Sequence, residues 1–465
     1  PPAATAADWR ALVEKTLKDA PFDSLRRATV EGLPIDPLYE AGQAAAFAPR
    51  PHDAERPWDV RAAVRHPDPA RARADLLADL DGGAASVLVT LDPSGEAGVA
   101  VGSATDLGQV LDGVFLELAA VALDAGFLGP KAADWLNAAA KSSPSALLQF
   151  HLDPLGAFAA AGESPGPIES HIVSAATVAT RLAEIYPKAT LFLASGRVVH
   201  EAGGGEAGEL AFALASALAY AKALVRTGLP MREAFAGIQL GLAADADYFA
   251  TLAKLRAARV LWARLTSACG VDIPTRIEAR SSQRMLTVQD PWTNMLRLTS
   301  AAFGAAVGGA DSVVLGAFTD AIGLPTEFAR RQSRNTQFVL MEEAHLGRVA
   351  DPAAGSGYVE ALTEEMARAA WAQFQAIEAA GGIVAALATG QIAAAVEQAK
   401  AAREAAGPPK IVGVTAFPPT QTAPVEVEQP APRRAESPSA RLPGPDGSCP
   451  PLRPIRIAAP HEAAR

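Results

Sequence analysis

Two spacings of apolar residues alternate along residues 75–400, and each predicts a different element. Short strand-like runs predict buried strands at 85–91, 146–152, 189–195, 276–280 and 312–318, and all of these except 276–280 are mainly apolar. Between them, apolar residues recur every three or four positions, which predicts helices. We predict these helices at Glu209–Thr227, Tyr248–Ser267 and Ala361–Ala380.

Alternation of strands and helices predicts parallel strands joined by crossover helices. The length of the alternating region suits a (β/α)8 TIM barrel. The pattern alone leaves an open doubly wound sheet as the alternative.

The two ends of the chain differ from this central region. Residues 1–50 hold an amphipathic segment (Trp9, Leu12, Val13, Leu17) and then a run interrupted by prolines, which predicts an extended arm draped over the main domain or a partner. Residues 406–465 contain 14 of the 36 prolines and are typical of a linker or wrapping tail. We therefore divide the chain into an arm (1–50), a barrel (51–405) and a proline-rich tail (406–465).

Composition narrows the class of protein. The chain is 49% hydrophobic and 20% charged, as expected of a globular protein, and its net charge of −10 argues against a nucleic-acid partner. The apolar runs at 210–225 and 298–310 are shorter than a membrane span, and Cys269 and Cys449 form no disulfide framework. We expect a cytoplasmic protein.

One segment of 26 residues, Arg331–Ser356, carries the most specific pattern. It resembles the signature of the methylmalonyl-CoA mutase family at Arg331, Arg334, Asn335, Thr336, Gln337, Glu342, Glu343, Asp351, Pro352, Gly355 and Ser356. Further segments that resemble the family lie at 56–61, 254–262, 280–294 and 320–328, so the resemblance covers about residues 25–415. It implies the barrel rather than the open sheet. It also implies an enzyme that interconverts (R)-methylmalonyl-CoA and succinyl-CoA by radical chemistry with adenosylcobalamin.

The resemblance fails at the positions that perform this chemistry. After their fourth strand, catalytic members have a tyrosine and a histidine that contacts the substrate thioester; here those positions hold Arg197 and Val198. Valine has no hydrogen-bonding group, so polarisation of the carbonyl is lost. His200 would face the same side as Val198 if the strand continued, although a loop or capping histidine is the simpler interpretation.

A second departure follows the family's Arg-Pro-Trp-x-x-Arg motif. Arg56 and Arg61 are present, but the family's radical-controlling tyrosine is replaced by Ala63, and residues 49–52 differ from the family's CoA-channel segment. Arg56 and Arg61 are vestigial substrate-site candidates. The structural interpretation is a guanidinium paired with a carboxylate near the barrel mouth.

The third departure concerns the cofactor. The chain contains no Asp-x-His-x-x-Gly motif, whose histidine binds cobalt in the family, and none of its seven histidines has the spacing of a metal site. Residues 452–463 look like the entry to the C-terminal domain found in small subunits, so we expect a cobalamin-type domain to be absent or truncated. We expect adenosylcobalamin on a partner and no cofactor or metal on this chain.

Together these departures indicate an inert barrel similar to the small subunit of heterodimeric bacterial mutases, paired with a catalytic large subunit. Two alternatives stay open: an active mutase with a rearranged site that uses Arg197, His200 and Gln289, or a cobalamin-independent barrel that binds CoA esters. Gln289 matches a family glutamine near the substrate, or it caps a loop. The run Gly203–Gly205 before a helix is either a phosphate-binding nest or a hinge.

Overall fold

The computed structural model describes residues 5–41, 53–435 and 437–463. Eight parallel strands form a closed barrel: β1 (Asp59–Val64), β2 (Ser86–Thr90), β3 (Ala120–Asp124), β4 (Leu148–Leu152), β5 (Thr190–Ser195), β6 (Ile238–Ala244), β7 (Ile277–Ser281) and β8 (Ser312–Val314). The ring closes where β8 pairs with β1, with Val313 beside Val60. The (β/α)8 barrel predicted from the alternation and the resemblance is confirmed, and the open sheet is excluded.

Helices surround the barrel and extend into both ends of the chain. They are α1 (Ala6–Leu17), α2 (Pro69–Asp81), α3 (Ala104–Val110), α4 (Gly129–Ala139), α5 (Pro154–Ala161), α6 (Ile168–Ile185), α7 (Arg197–Glu201), α8 (Glu206–Arg226), α9 (Met231–Ala236), α10 (Tyr248–Ala268), α11 (Asn294–Val307), α12 (Glu327–Phe338), α13 (Gly357–Ala379), α14 (Ile383–Ala388), α15 (Gln391–Ala405) and α16 (Ala459–Glu462). A π-helical turn, Val339–Glu343, extends α12.

Helix α8 shows how local sequence and packing combine. Its alanine-rich sequence favours helix, and its side chains from Ala207 to Leu224 are largely buried against neighbouring elements. Among the helices of the described residues, only α8 has the length and composition that could span a membrane. The apolar run within it, residues 210–225, is shorter than such a span. Because 72% of the apolar window is buried inside the protein, the composition is that of a core helix.

The N-terminal arm combines an exposed helix with a short hairpin. Helix α1 has no buried residue, and Trp9 packs edge-on against Phe22 at 5.9 Å. Beyond it, a two-stranded hairpin pairs Arg27–Ala28 with Pro34–Ile35. Leu33, at the end of the hairpin turn, is buried, so the hairpin packs against the rest of the protein.

The proline-rich tail runs around the mouth of the barrel, at the carboxyl ends of the strands. It begins this course where Thr422 donates to the carbonyl of Gln289, and it finishes where Glu462 accepts the backbone N–H of the same residue. Between these points it contacts the loops of the mouth in turn, with backbone hydrogen bonds at Leu324, Pro93, Gly162, Ala159, Glu201 and Arg284. The tail therefore makes one complete circuit of the mouth.

Candidate functional site

The mouth holds two adjacent cavities, and the degenerate positions line them. Ala63 and Arg197 line a cavity of about 230 Å³. Arg197 and Val198 line a second cavity of about 300 Å³, together with the tail residues Leu452 and Pro454. The fold thus brings Ala63, Arg197 and Val198 to one end of the barrel.

Beneath the cavities, a chain of ion pairs crosses the interior. Arg61 on β1 donates to Asp59 at 2.9 Å and to Glu278 on β7 at 2.5 Å. Glu278 also accepts from Arg280 at 2.6 Å, and Arg280 reaches Asp124 on β3 at 2.7 Å. Because these strands lie on different sides of the barrel, the side chains fill its axis.

Within this chain of ion pairs, each charged group favours the ionised form of its partner. Burial alone would raise the pKa of Glu278, but Arg280, His151 and Arg61 hold that pKa well below its ordinary value. Burial lowers the pKa of His151 to about 4, so its ring is neutral at neutral pH. The interior is consequently a set of fixed ion pairs with apolar packing from Leu88, Ala122 and Val314.

The segment after β5 departs from the expected course. It follows the fifth barrel strand, not the fourth, and Arg197 begins helix α7 immediately after Gly196. His200 consequently does not share a side with Val198, and it is a buried helical residue rather than a loop or capping histidine. Val198 is half-buried at the mouth, whereas His200 is fully buried.

His200 is held between two carboxylates beside the barrel. Its Nδ1 atom lies 3.2 Å from Glu209 and its Nε2 atom 3.2 Å from Asp245. Ser282 is 3.0 Å from Nε2. Because its side chain is fully buried between these groups, His200 does not face a ligand in the mouth.

The other candidates lie in separate places. Arg56 is exposed on the segment before β1. Arg61 pairs with Asp59 and Glu278 and lines the first cavity at the mouth. Gln289 is on the loop after β7; its backbone bonds to the tail, and its buried Oε1 atom has no hydrogen bond within the described chain. The altered segment 49–52 lies outside the described residues. Arg197, His200 and Gln289 do not converge, and their assignment to a site remains a prediction.

Comparison with known proteins identifies the family. The family model for methylmalonyl-CoA mutase matches residues 54–442. The chain is 41% identical to the methylmalonyl-CoA mutase small subunit of Streptomyces virginiae, over 93% of this chain and 73% of that protein. The chain belongs to the methylmalonyl-CoA mutase family.

Two further relatives carry the same designation. The small subunit of Propionibacterium freudenreichii subsp. shermanii is 36% identical over 86% of this chain, and the probable small subunit of Mycobacterium tuberculosis (strain ATCC 25618 / H37Rv) is 39% identical over 79%. The chain spans 66% and 62% of the lengths of these two relatives.

The mutase signature serves packing in this chain. Arg334 pairs with Asp79 of α2, which ties α12 to its neighbour. Asp351 pairs with Arg256 of α10, and Arg256 also donates to Glu360 at 2.6 Å. The signature residues with ion pairs therefore connect helices of the barrel's outer layer.

The family uses adenosylcobalamin, and the residues at this mouth do not fit its cobalt. His151 is buried at the second cavity, with its Nδ1 atom 4.0 Å from Glu278, and His200 is buried between Glu209 and Asp245. In the part of the chain that the structure describes, no group of three or more His, Cys, Asp or Glu side chains could hold a metal ion.

Two features of the mouth were not predicted from the sequence. One is the lining of the second cavity by Leu452 and Pro454, which no local pattern signals because the contact spans hundreds of residues. The other is the interior chain of ion pairs. Its signal was present, since Glu278 and Arg280 are two residues apart in a buried strand and must face the same side.

Proposed function

We propose that this chain is the non-catalytic small subunit of a methylmalonyl-CoA mutase and that it pairs with a catalytic large subunit. The designation of the three relatives as small subunits supports this assignment. In the assembled enzyme, the large subunit binds adenosylcobalamin and interconverts (R)-methylmalonyl-CoA and succinyl-CoA. The small subunit stabilises the assembly.

The observation that carries the proposal is the filled interior. A side chain that polarises a thioester must offer a hydrogen bond at the reacting carbonyl. Val198 offers none, and below it the ion pairs of Arg61, Glu278 and Arg280 occupy the axis. An acyl-CoA would therefore meet no hydrogen-bond donor at the family's histidine position, above an axis that ion pairs occupy.

The missing radical-handling group supports the same conclusion. Ala63, at the family's tyrosine position, lines the cavity with a methyl group only. Restoring activity would require several changes at once, because Ala63, Arg197 and Val198 all differ from the residues of catalytic members. The cofactor supplies a carbon-centred radical when it is bound, and no described side chain at this mouth is suited to control one.

The exposed arm supports a role in assembly. None of the residues of α1 is buried, and Leu12 is 64% exposed on a helix whose apolar side is otherwise typical of a packed surface. Contact with the large subunit would cover this face. Obligate interfaces are large and apolar, so we expect the isolated chain to be poorly soluble.

The experiment compares three preparations: this chain, the large subunit, and the two expressed together. Each is incubated with adenosylcobalamin, freed of unbound cofactor, and measured for corrinoid absorbance and mutase turnover. The proposal expects this chain alone to show neither signal and the copurified pair to show both. Turnover by the isolated chain, or a folded large subunit that never associates with it, would contradict the proposal.

A further inference from the structure

The turn of the N-terminal hairpin places a carboxylate at the start of α8. Both oxygens of Glu31 accept the backbone N–H of Ala207, at 3.1 and 3.0 Å. Residue Gly205, which precedes the helix, provides no side-chain cap. A Cβ atom there would lie 2.1 Å from Glu31 Oε1, so glycine leaves the space that the carboxylate occupies. The space beside the Gly203–Gly205 run, for which a phosphate-binding nest was one of the two interpretations, therefore holds the chain's own Glu31 side chain.

Neighbouring groups act on the charge of Glu31 in opposite directions. The helix N-terminus favours an anion, but the Glu206 carboxylate repels Glu31. Lys254 pairs with Glu209 at 2.6 Å, and Arg403 donates to the carbonyl of Gly203 at 2.9 Å. Arg284 pairs with Asp245 at 2.9 Å and also with Glu206 at 3.3 Å, which offsets part of the Glu206 charge. The remaining titratable groups around the site are His200 on α7, and Asp247 before α10.

We propose that Glu31 is a pH-sensitive latch that fastens the N-terminal hairpin to the start of helix α8. With a proton on Glu31, its carbonyl oxygen still accepts from Ala207, while the repulsion from Glu206 disappears. Without the proton, the two carboxylates oppose each other in a largely buried site. The hairpin therefore binds more tightly in its protonated form.

The direction of the pKa agrees with this geometry. Burial, followed by the charge of Glu206, raises the pKa of Glu31 to about 7 from an ordinary value of 4.5. A group whose pKa is higher in the docked state stabilises docking fully at pH values below its undocked pKa. That stabilisation disappears as the pH rises through the docked pKa. These two pKa values imply that docking weakens about tenfold between pH 6 and pH 8.

The test measures trypsin cleavage after Arg27 in the full chain, from pH 5.5 to pH 8.5. A reference peptide with the same cleavage sequence in the same tube corrects for the enzyme's own pH dependence. For the natural chain we expect the corrected rate to rise about tenfold from pH 6 to pH 8. Glu31→Gln, which keeps an acceptor for Ala207 without a charge, should cleave slowly at every pH.

Two further variants complete the test. Glu40→Gln removes an exposed acid of the same arm and should retain the natural pH dependence. Glu206→Gln removes the repulsion and should move the rise to lower pH. A natural chain whose corrected rate does not change with pH would overturn the proposal. So would a Glu31→Gln variant that keeps the natural pH dependence.

Discussion

Arg61 on β1 and Glu278 on β7 face each other across the barrel interior, with 2.5 Å between Nη1 and Oε2 and both side chains almost fully buried. Each has a second partner of opposite charge, Asp59 for Arg61 and Arg280 for Glu278. A buried pair of this kind depends on all its members, because removing one leaves an uncompensated charge in a poorly solvated site. The ion pairs that occupy the axis of the barrel therefore also stabilise its fold.

Removing one member of this pair should strongly destabilise the protein. We expect Arg61→Met to lower the free energy of unfolding by about 3–5 kcal/mol, because Glu278 loses a partner without returning to water. Urea denaturation measures the change. Glu14→Gln, which breaks the exposed pair with Arg10, is the control and should cost less than about 1 kcal/mol. Equal losses in the two variants would contradict this interpretation of the interior.

The cluster around His200 predicts an acid-sensitive fold. Burial acts to raise the pKa of Glu209, but Lys254 and His200 lower it to about 2. Because its pKa is lowered in the folded protein, the Glu209 carboxylate stabilises the fold by about 3 kcal/mol at pH values above its ordinary pKa of 4.5. This stabilisation is lost as the pH falls from 4.5 towards 2.

Denaturation at a series of pH values checks this expectation. Glu209→Gln should be less stable than the natural protein at pH 7 and should lose less stability between pH 5 and pH 3. Glu397→Gln, at an exposed pair with Lys400, should follow the natural curve. If Glu209→Gln retained the full acid dependence, other carboxylates would have to account for it.

The tail should contribute to stability where it lines the second cavity. Leu452 is 3% exposed, and its N–H donates to the carbonyl of Ala159 at 2.8 Å. We expect Leu452→Ala to cost about 2–4 kcal/mol, because it leaves a cavity under the tail. Leu442→Ala, at a more exposed site on the same tail, should cost about 1 kcal/mol or less. Thermal unfolding of both variants under one condition distinguishes a packed tail from a loose one.

Four of the five strands predicted from sequence carry short, mainly apolar runs, whereas β7 was predicted although it carries Glu278 and Arg280. The run at 189–195 corresponds to β5, whose six residues are all buried. β1 was missed because it carries Asp59 and Arg61, which a sequence pattern assigns to the surface but which face the barrel interior here. β6 was missed because Gln239 and Gly241 interrupt its apolar pattern.

The mouth could be predicted only in part. The resemblance identified Val198 and Arg197 as altered positions, and both line the cavities. The direction of His200 could not be predicted, because the chain turns at Gly196. A Cβ atom there would lie 2.2 Å from the carbonyl oxygen of Glu209, so the approach of α8 fixes the turn through a contact that no local pattern records.

If this chain is the non-catalytic subunit, the mouth of its barrel takes no part in turnover. The most direct measurement is the kcat and KM of the corrinoid-loaded pair that contains the double substitution Arg197→Gln and Val198→Thr, compared with the natural pair at equal corrinoid content. We predict that both constants stay within about twofold, since a change of that size corresponds to less than about 0.5 kcal/mol. A loss of tenfold or more in kcat, in a pair that assembles and binds cofactor normally, would contradict the account.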